Sequence, residues 1–184
     1  CATRQLRGQG DAHNSMLVHV TRFNRVQKVV HEQVQAYVNN VKQRLSLGID
    51  EKKLLSELKT LWERDFVPTS NEVSESLATP DECKLPDWAD VRAQLLNVLE
   101  SVDVRMINGT AKDALDYADT PTGLKVIAIG GDKVARGLTL EGLSVSYFLR
   151  ASKMYDTLMQ MGRWFGYRHG YIDLCRLYTT SDLI

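Results

Sequence analysis

Cysteine is scarce in this sequence: Cys1, Cys83 and Cys175 are the whole set, odd in number and far apart. That spacing supports neither a disulfide framework nor a zinc site, and it fits a reducing, cytoplasmic setting. Long apolar runs are missing. No stretch approaches the ~20 residues that span a bilayer, and the opening Cys1-Ala2-Thr3-Arg4-Gln5 is too polar for a signal peptide. No membrane partner is expected. Net charge is missing too, because 23 Lys and Arg balance 23 Asp and Glu. A globally basic chain, the simplest argument for nucleic-acid binding, is therefore excluded. No Gly-x-x-x-x-Gly-Lys-Ser/Thr loop occurs, so nothing of that kind cradles the phosphates and magnesium of a nucleotide. Carboxylates are not clustered as a two-metal nuclease requires. Pro80-Asp81-Glu82-Cys83-Lys84 holds fragments of a nuclease motif, but compressed into one loop, and it receives no catalytic role. An initiator methionine is absent, and Thr180 to Ile184 reads as a helix start cut short, which suggests a piece of a longer protein.

What is present suits one globular domain. The 184 residues are 43% hydrophobic and 25% charged, enough to bury a core without staples. Charge is uneven along the chain. Acids outnumber bases from Asp50 to Asp90, whereas from Arg150 to Arg176 the bases Arg150, Lys153, Arg163, Arg168 and Arg176 face only Asp156 and Asp173. Local sign steers anions even when the total is zero. The acidic stretch reads as a solvated surface.

Period and punctuation predict alternating strands and helices. Arg7 to Asn14 is a polar loop, and His13 within it reads as a surface histidine because no second ligand lies at useful spacing. Met16 to Val20 is a short apolar run, a buried strand. Asn24 is a plausible cap for a helix whose stripe is Val26, Val30, Val34, Val38 and Val41. Asp50 can cap the next helix, with Leu54, Leu58, Leu61, Trp62 and Phe66 on its face. Pro68 to Pro86 reads as loop with a single helical turn at most, closing a helical insertion at about residues 47–87. Asp87 caps a third helix carrying Trp88, Val91, Leu95 and Val98. Val102 to Ile107 is a strand, followed by the turn Asn108-Gly109 and a short helix from Ala111 to Tyr117. Leu124 to Ile129 is a strand of the kind buried in parallel sheets. Val145 to Leu149 is a further strand, Ser152 to Met161 a helix, and Asp173 to Tyr178 the last strand.

The chemistry concentrates between Gly130 and Arg168. Gly130-Gly131-Asp132-Lys133-Val134-Ala135-Arg136-Gly137 follows a strand. There a glycine-rich loop exposes backbone N–H groups, and open α/β sheets bind ligands at such strand ends. Asp132 can accept hydrogen bonds from ribose hydroxyls, and Gly137 lets backbone approach closely. Gln160-Met161-Gly162-Arg163-Trp164-Phe165-Gly166-Tyr167-Arg168 then sets two arginines among glycines and aromatics. Arginine is suited to stabilising charge on a transferring phosphoryl group. Trp164, Phe165 and Tyr167 can stack on bases or pack in a core.

Asp132 to Gly137 resembles motif V of the second RecA-like lobe of superfamily-two helicases, and Gln160 to Arg168 resembles their motif VI. The run Arg136 to Gly142 together with Met159 to Arg168 is also similar to the Z-one (Z1) domain, a family described among endonucleases of bacterial restriction-modification systems. The resemblance implies an α/β fold of RecA-like, P-loop NTPase type: a mainly parallel sheet flanked by helices. It implies a second motor lobe of a nucleic-acid-dependent ATPase, acting in restriction-modification or phage defence. By position, Arg163 and Arg168 would be catalytic, Asp132, Gly137 and Gln160 would bind nucleotide, and Arg22, Lys133 and Arg136 would bind nucleic acid, DNA in that setting. ATP and Mg2+ would be held mainly by an N-terminal RecA-like lobe of the same protein. Gly131 departs from the pattern, since relatives carry Thr there, and Thr139 stands where many have Asp. Arg168 lies five residues beyond Arg163 instead of three. The rivals are a DNA endonuclease domain and a non-catalytic interaction module that has kept the fold.

Overall fold

Among the described residues, short runs stopped by polar or glycine turns make five strands: β1 (Asn14–His19), β2 (Val102–Ile107), β3 (Lys125–Gly130), β4 (Leu143–Phe148) and β5 (Arg176–Thr179). They form one sheet in the order β2-β3-β1-β4-β5. Every neighbouring pair is parallel. The computed structural model describes residues 1–76, 83–107, 115, 117, 120–131, 140–148 and 168–179. The expected α/β class is found, and the sheet, expected to be mainly parallel, is wholly so. Crossovers in such a sheet need helices. The described helices are α1 (Ala2–Leu6), which precedes β1, and α2 (Asn24–Leu47), α3 (Glu51–Leu61), α4 (Val67–Ser76) and α5 (Trp88–Ser101), which all lie between β1 and β2. Among the described residues no helix is long and apolar enough to cross a membrane.

Contacts divide the chain into two compact units. One comprises Cys1–Gly10, Ala36–Ser101 and Arg168–Cys175; the other comprises Asp11–Gln35, Val102–Tyr167 and Arg176–Ile184. The second unit holds the sheet. Its core joins Leu17 of β1, Val126 and Ala128 of β3, and Leu143 and Phe148 of β4 to Ile107, Leu115, Leu124 and Leu140. The first unit has its own core, where Ala2, Trp62, Val91 and Val98 meet Phe66, Val67, Leu85, Trp88 and Leu95.

Several local expectations need correction. Pro68 does not open a loop: it is the second residue of α4, and a π turn (Trp62–Phe66) joins α3 to α4. Proline lacks the N–H that an α-helix would direct at residue i−4, and a wider turn absorbs that missing bond. The Val67 N–H accordingly reaches back to the Trp62 carbonyl. Asp50 precedes α3 in the left-handed region (φ 48°) and makes no side-chain cap. Asn24 is the first residue of α2, and the carbonyl of Phe23 takes the first bonds, from the N–H groups of Val26 and Gln27. The buried face of α2 is also rotated. Val38 and Val41 are buried, but Val26 is exposed and polar Gln27 is buried in its place. Asp173 is not in a strand. It sits in a 3-10 turn (Ile172–Leu174), and β5 begins only at Arg176. The expected turn at Asn108-Gly109 and the helices expected over 111–117 and 152–161 fall wholly or mostly outside the described residues.

Candidate functional site

The carboxyl edge of the sheet is where β1, β3 and β4 end side by side. His19 closes β1, paired with Gly130 of β3 and Phe148 of β4. Its ring is buried and stacks on Phe148, with centroids 4.4 Å apart and planes 6° from parallel. The Val20 N–H then donates to the Gly130 carbonyl at 2.9 Å. One residue later β3 delivers Gly131, the start of the glycine-rich loop.

Gly131 explains the departure noted in the sequence. A Cβ there would lie 2.5 Å from the Thr21 carbonyl oxygen and 2.9 Å from Gln27 Nε2. No threonine fits, because the loop after β1 already fills that space. Gln27 is 3% exposed, and its Nε2 donates to the Thr21 carbonyl at 2.9 Å. The Thr21 hydroxyl accepts the Phe23 N–H at 3.3 Å. Gly131 therefore seats against the loop after β1 through the Thr21 backbone and one buried amide. No periodicity argument finds Gln27, since a lone glutamine in a helix reads as surface.

Of the residues expected to act, Arg22 lies on this edge, exposed, with its guanidinium carbon 5.4 Å from the centre of the Phe23 ring. Asp132, Lys133, Arg136, Gly137, Gln160 and Arg163 lie outside the described residues. Arg168 is described in the other unit, half-buried, with its carbonyl accepting the Tyr171 N–H at 3.2 Å. Burial raises the Tyr171 phenol above its ordinary pKa, and the positive charges of Arg168 and Arg4 oppose the rise. The guanidinium of Arg4 lies 3.8 Å over the Tyr171 ring.

A cluster unforeseen in the sequence follows directly on the second motif. Asp173 is fully buried and pairs with Arg7 through two parallel bonds, Nη1 to Oδ1 and Nη2 to Oδ2, each 2.8 Å. Ser70 Oγ donates to Oδ2 as well, and the Cys83 thiol donates to the carboxylate. Burial pushes the Asp173 carboxyl up, but the bonds from Arg7 and Ser70, the charge of Arg7 and the Cys83 thiol outweigh it and hold the group below the usual carboxylate range. The Cys83 thiol is raised, first by burial and then by Asp173, with the charge of Arg7 opposing the rise. Arg7 spends its remaining donors on the carbonyls of Cys83 (2.8 Å), Gly170 (3.0 Å) and Lys84 (3.1 Å). A carboxylate so saturated is no base, and a raised thiol is a poor nucleophile. The cluster is a clip that ties the segment after Arg168 to α4 and to the turn after α1.

The amino edge of the sheet is also built structurally. His13, expected on the surface, is half-buried. Its Nδ1 accepts the Leu124 N–H at 3.0 Å, and its ring meets Tyr117 edge-on at 4.8 Å. Ser15 Oγ bonds the Tyr117 hydroxyl at 2.8 Å and donates to the Glu141 carbonyl at 2.7 Å. Gly142 (φ +63°) passes so close to His13 that a Cβ would overlap its carbonyl oxygen.

No curated protein and no solved structure matches this chain. A family profile described as the Z1 domain matches it from residue 1 to residue 184. With an α/β sheet beneath it and a match that leaves no part of the sequence out, the chain belongs to the Z1 domain family.

Proposed function

We propose that the chain is the second motor lobe of a nucleic-acid-dependent ATPase in a restriction-modification or phage-defence protein. The observation that carries this reading is the carboxyl edge. Central β1 and its neighbour β3 end together, and Gly131, the residue before the Asp-x-x-Ala-Arg-Gly sequence, lies against Thr21, beside exposed Arg22. Open parallel sheets bind ligands on that edge. In this reading Asp132, Gly137 and Gln160 meet nucleotide, Lys133, Arg136 and Arg22 meet the nucleic-acid backbone, and Arg163, with Arg168, meets the γ-phosphate. The sequence has no phosphate loop, so ATP and magnesium would be held mainly by an N-terminal lobe. The endonuclease alternative is less well supported. Among the described residues no three His, Cys, Asp or Glu side chains gather as a metal set.

Arg163→Ala in the protein that carries both lobes tests the reading. An arginine that meets the γ-phosphate only in the transition state is worth ~10³–10⁵ in rate. ATP turnover should fall on that scale while ATP affinity stays nearly intact, and Lys should not rescue it, because a point charge lacks the planar fork. A loss within a few-fold, with circular dichroism unchanged, is what a surface ion pair worth ~0–1 kcal/mol would produce, and would remove the motor-lobe reading.

A further inference from the structure

Phe23 stands at the carboxyl edge with its ring 60% exposed. A single exposed apolar side chain needs no explanation, but this one has company. Val26 and Val29 follow it on α2, 40% and 52% exposed. Arg22 and Arg25 are interleaved with them and exposed, and no acidic residue occurs between Thr21 and Lys28; Lys28 itself pairs with Glu32 at 3.9 Å. The guanidinium of Arg22 already lies over the Phe23 ring.

The backbone that presents the ring is held from several sides. Thr21 Oγ1 accepts the Phe23 N–H, the Phe23 carbonyl accepts the N–H groups of Val26 (3.0 Å) and Gln27 (3.1 Å), and the Gln27 amide holds the Thr21 carbonyl against Gly131. The backbone on either side of the exposed ring is thus hydrogen-bonded in place. Preorganisation of this sort lowers the ordering cost of binding.

We propose that Phe23 is a stacking platform for a base of single-stranded nucleic acid, with Arg22 and Arg25 holding the phosphates on either side. This rests on the nucleic-acid reading above and names the contact that reading lacks. Charge complementarity selects the occupant. Two unopposed arginines, Arg22 and Arg25, flank an exposed aromatic ring with no acidic residue from Thr21 to Lys28, a pattern that matches the alternating phosphates and bases of a single strand. Aromatic faces stack on any base, and arginine adds a cation–π contribution.

Anisotropy titrations of this chain with a fluorescein-labelled oligothymidine over a range of salt test the proposal. Phe23→Ala should weaken binding about 5- to 150-fold, the effect of losing one base stack, with the slope of log affinity against log salt unchanged. Phe23→Tyr or Phe23→Trp should restore affinity, and Phe23→Leu should not. Arg25→Ala should instead lower the salt slope by about 0.7. Salt-sensitive binding that is equal in wild type and Phe23→Ala, with the fold confirmed by circular dichroism, would overturn the platform and leave the nucleic-acid reading standing. Rescue by Leu would overturn it in favour of a plain apolar contact. Failure of the wild-type chain to bind the oligonucleotide would overturn the nucleic-acid reading itself.

Discussion

At the scale of single residues the Arg7–Asp173 pair is a buried, bidentate ion pair. Both groups are shielded from water, and every oxygen of Asp173 is occupied. A buried pair costs desolvation to form, but removing one member leaves an uncompensated charge inside the protein. Asp173→Asn should therefore lower stability by about 3–5 kcal/mol, read from urea unfolding at neutral pH. The pH dependence has a definite sign. The carboxyl is held below its ordinary value, so its stabilising contribution is complete above the unfolded pKa of about 3.9 and fades as pH falls through the lower folded value. The gap between wild type and Asp173→Asn should stay constant from neutral pH down to about 5 and close in stronger acid. A gap independent of pH across that range would show that the carboxylate charge is not what stabilises the clip.

Among the elements, the path from α3 through the π turn into α4 shows how one residue reshapes a helix. Pro68 breaks the hydrogen-bond ladder, yet the helix continues by widening one turn, because the apolar face on either side still has a partner in α5. Trp62, the first residue of that turn, stacks on Phe66 at 5.8 Å and lies 6.4 Å from Trp88. It is 8% exposed. Trp62→Ala should cost about 3–5 kcal/mol, the usual loss for a large buried aromatic, and should strip intensity from the near-UV circular dichroism of the tryptophan cluster. Trp62→Phe keeps a ring and should cost less. A stability loss below about 1 kcal/mol for the alanine variant would mean that the widened turn is not held by this core.

For the whole molecule the expectation concerns what the chain does alone. Lacking a phosphate loop, it should not hydrolyse ATP above background, with or without nucleic acid, in a phosphate-release assay. Turnover by the pure chain that depends on magnesium would overturn the two-lobe reading. Its zero formal charge also makes weak binding to nucleic acid the expectation, resting on local cations. Each phosphate contact should add about −0.7 to −0.9 to the salt slope.

The elements were largely legible in the sequence because their signals are local. Apolar runs such as Met16 to Val20 and Leu124 to Ile129 mark central strands whatever lies elsewhere, and the stripes of α3 and α5 repeat at helical period. The family was legible too, since the Arg136 to Gly142 and Met159 to Arg168 runs are short and self-contained. Three decisions belonged to the tertiary structure alone. Asp173 read as part of a strand until Arg7, 166 residues away, drew its carboxylate into a buried pair. Gln27, a polar residue that composition alone would put in water, is buried because the Thr21 carbonyl accepts its Nε2. Gly131 read as a missing hydroxyl, when it is a position with no room for any side chain. In each case the deciding atom comes from a distant stretch of chain or from across a loop, and burial of a polar group is favourable only once that partner is in place.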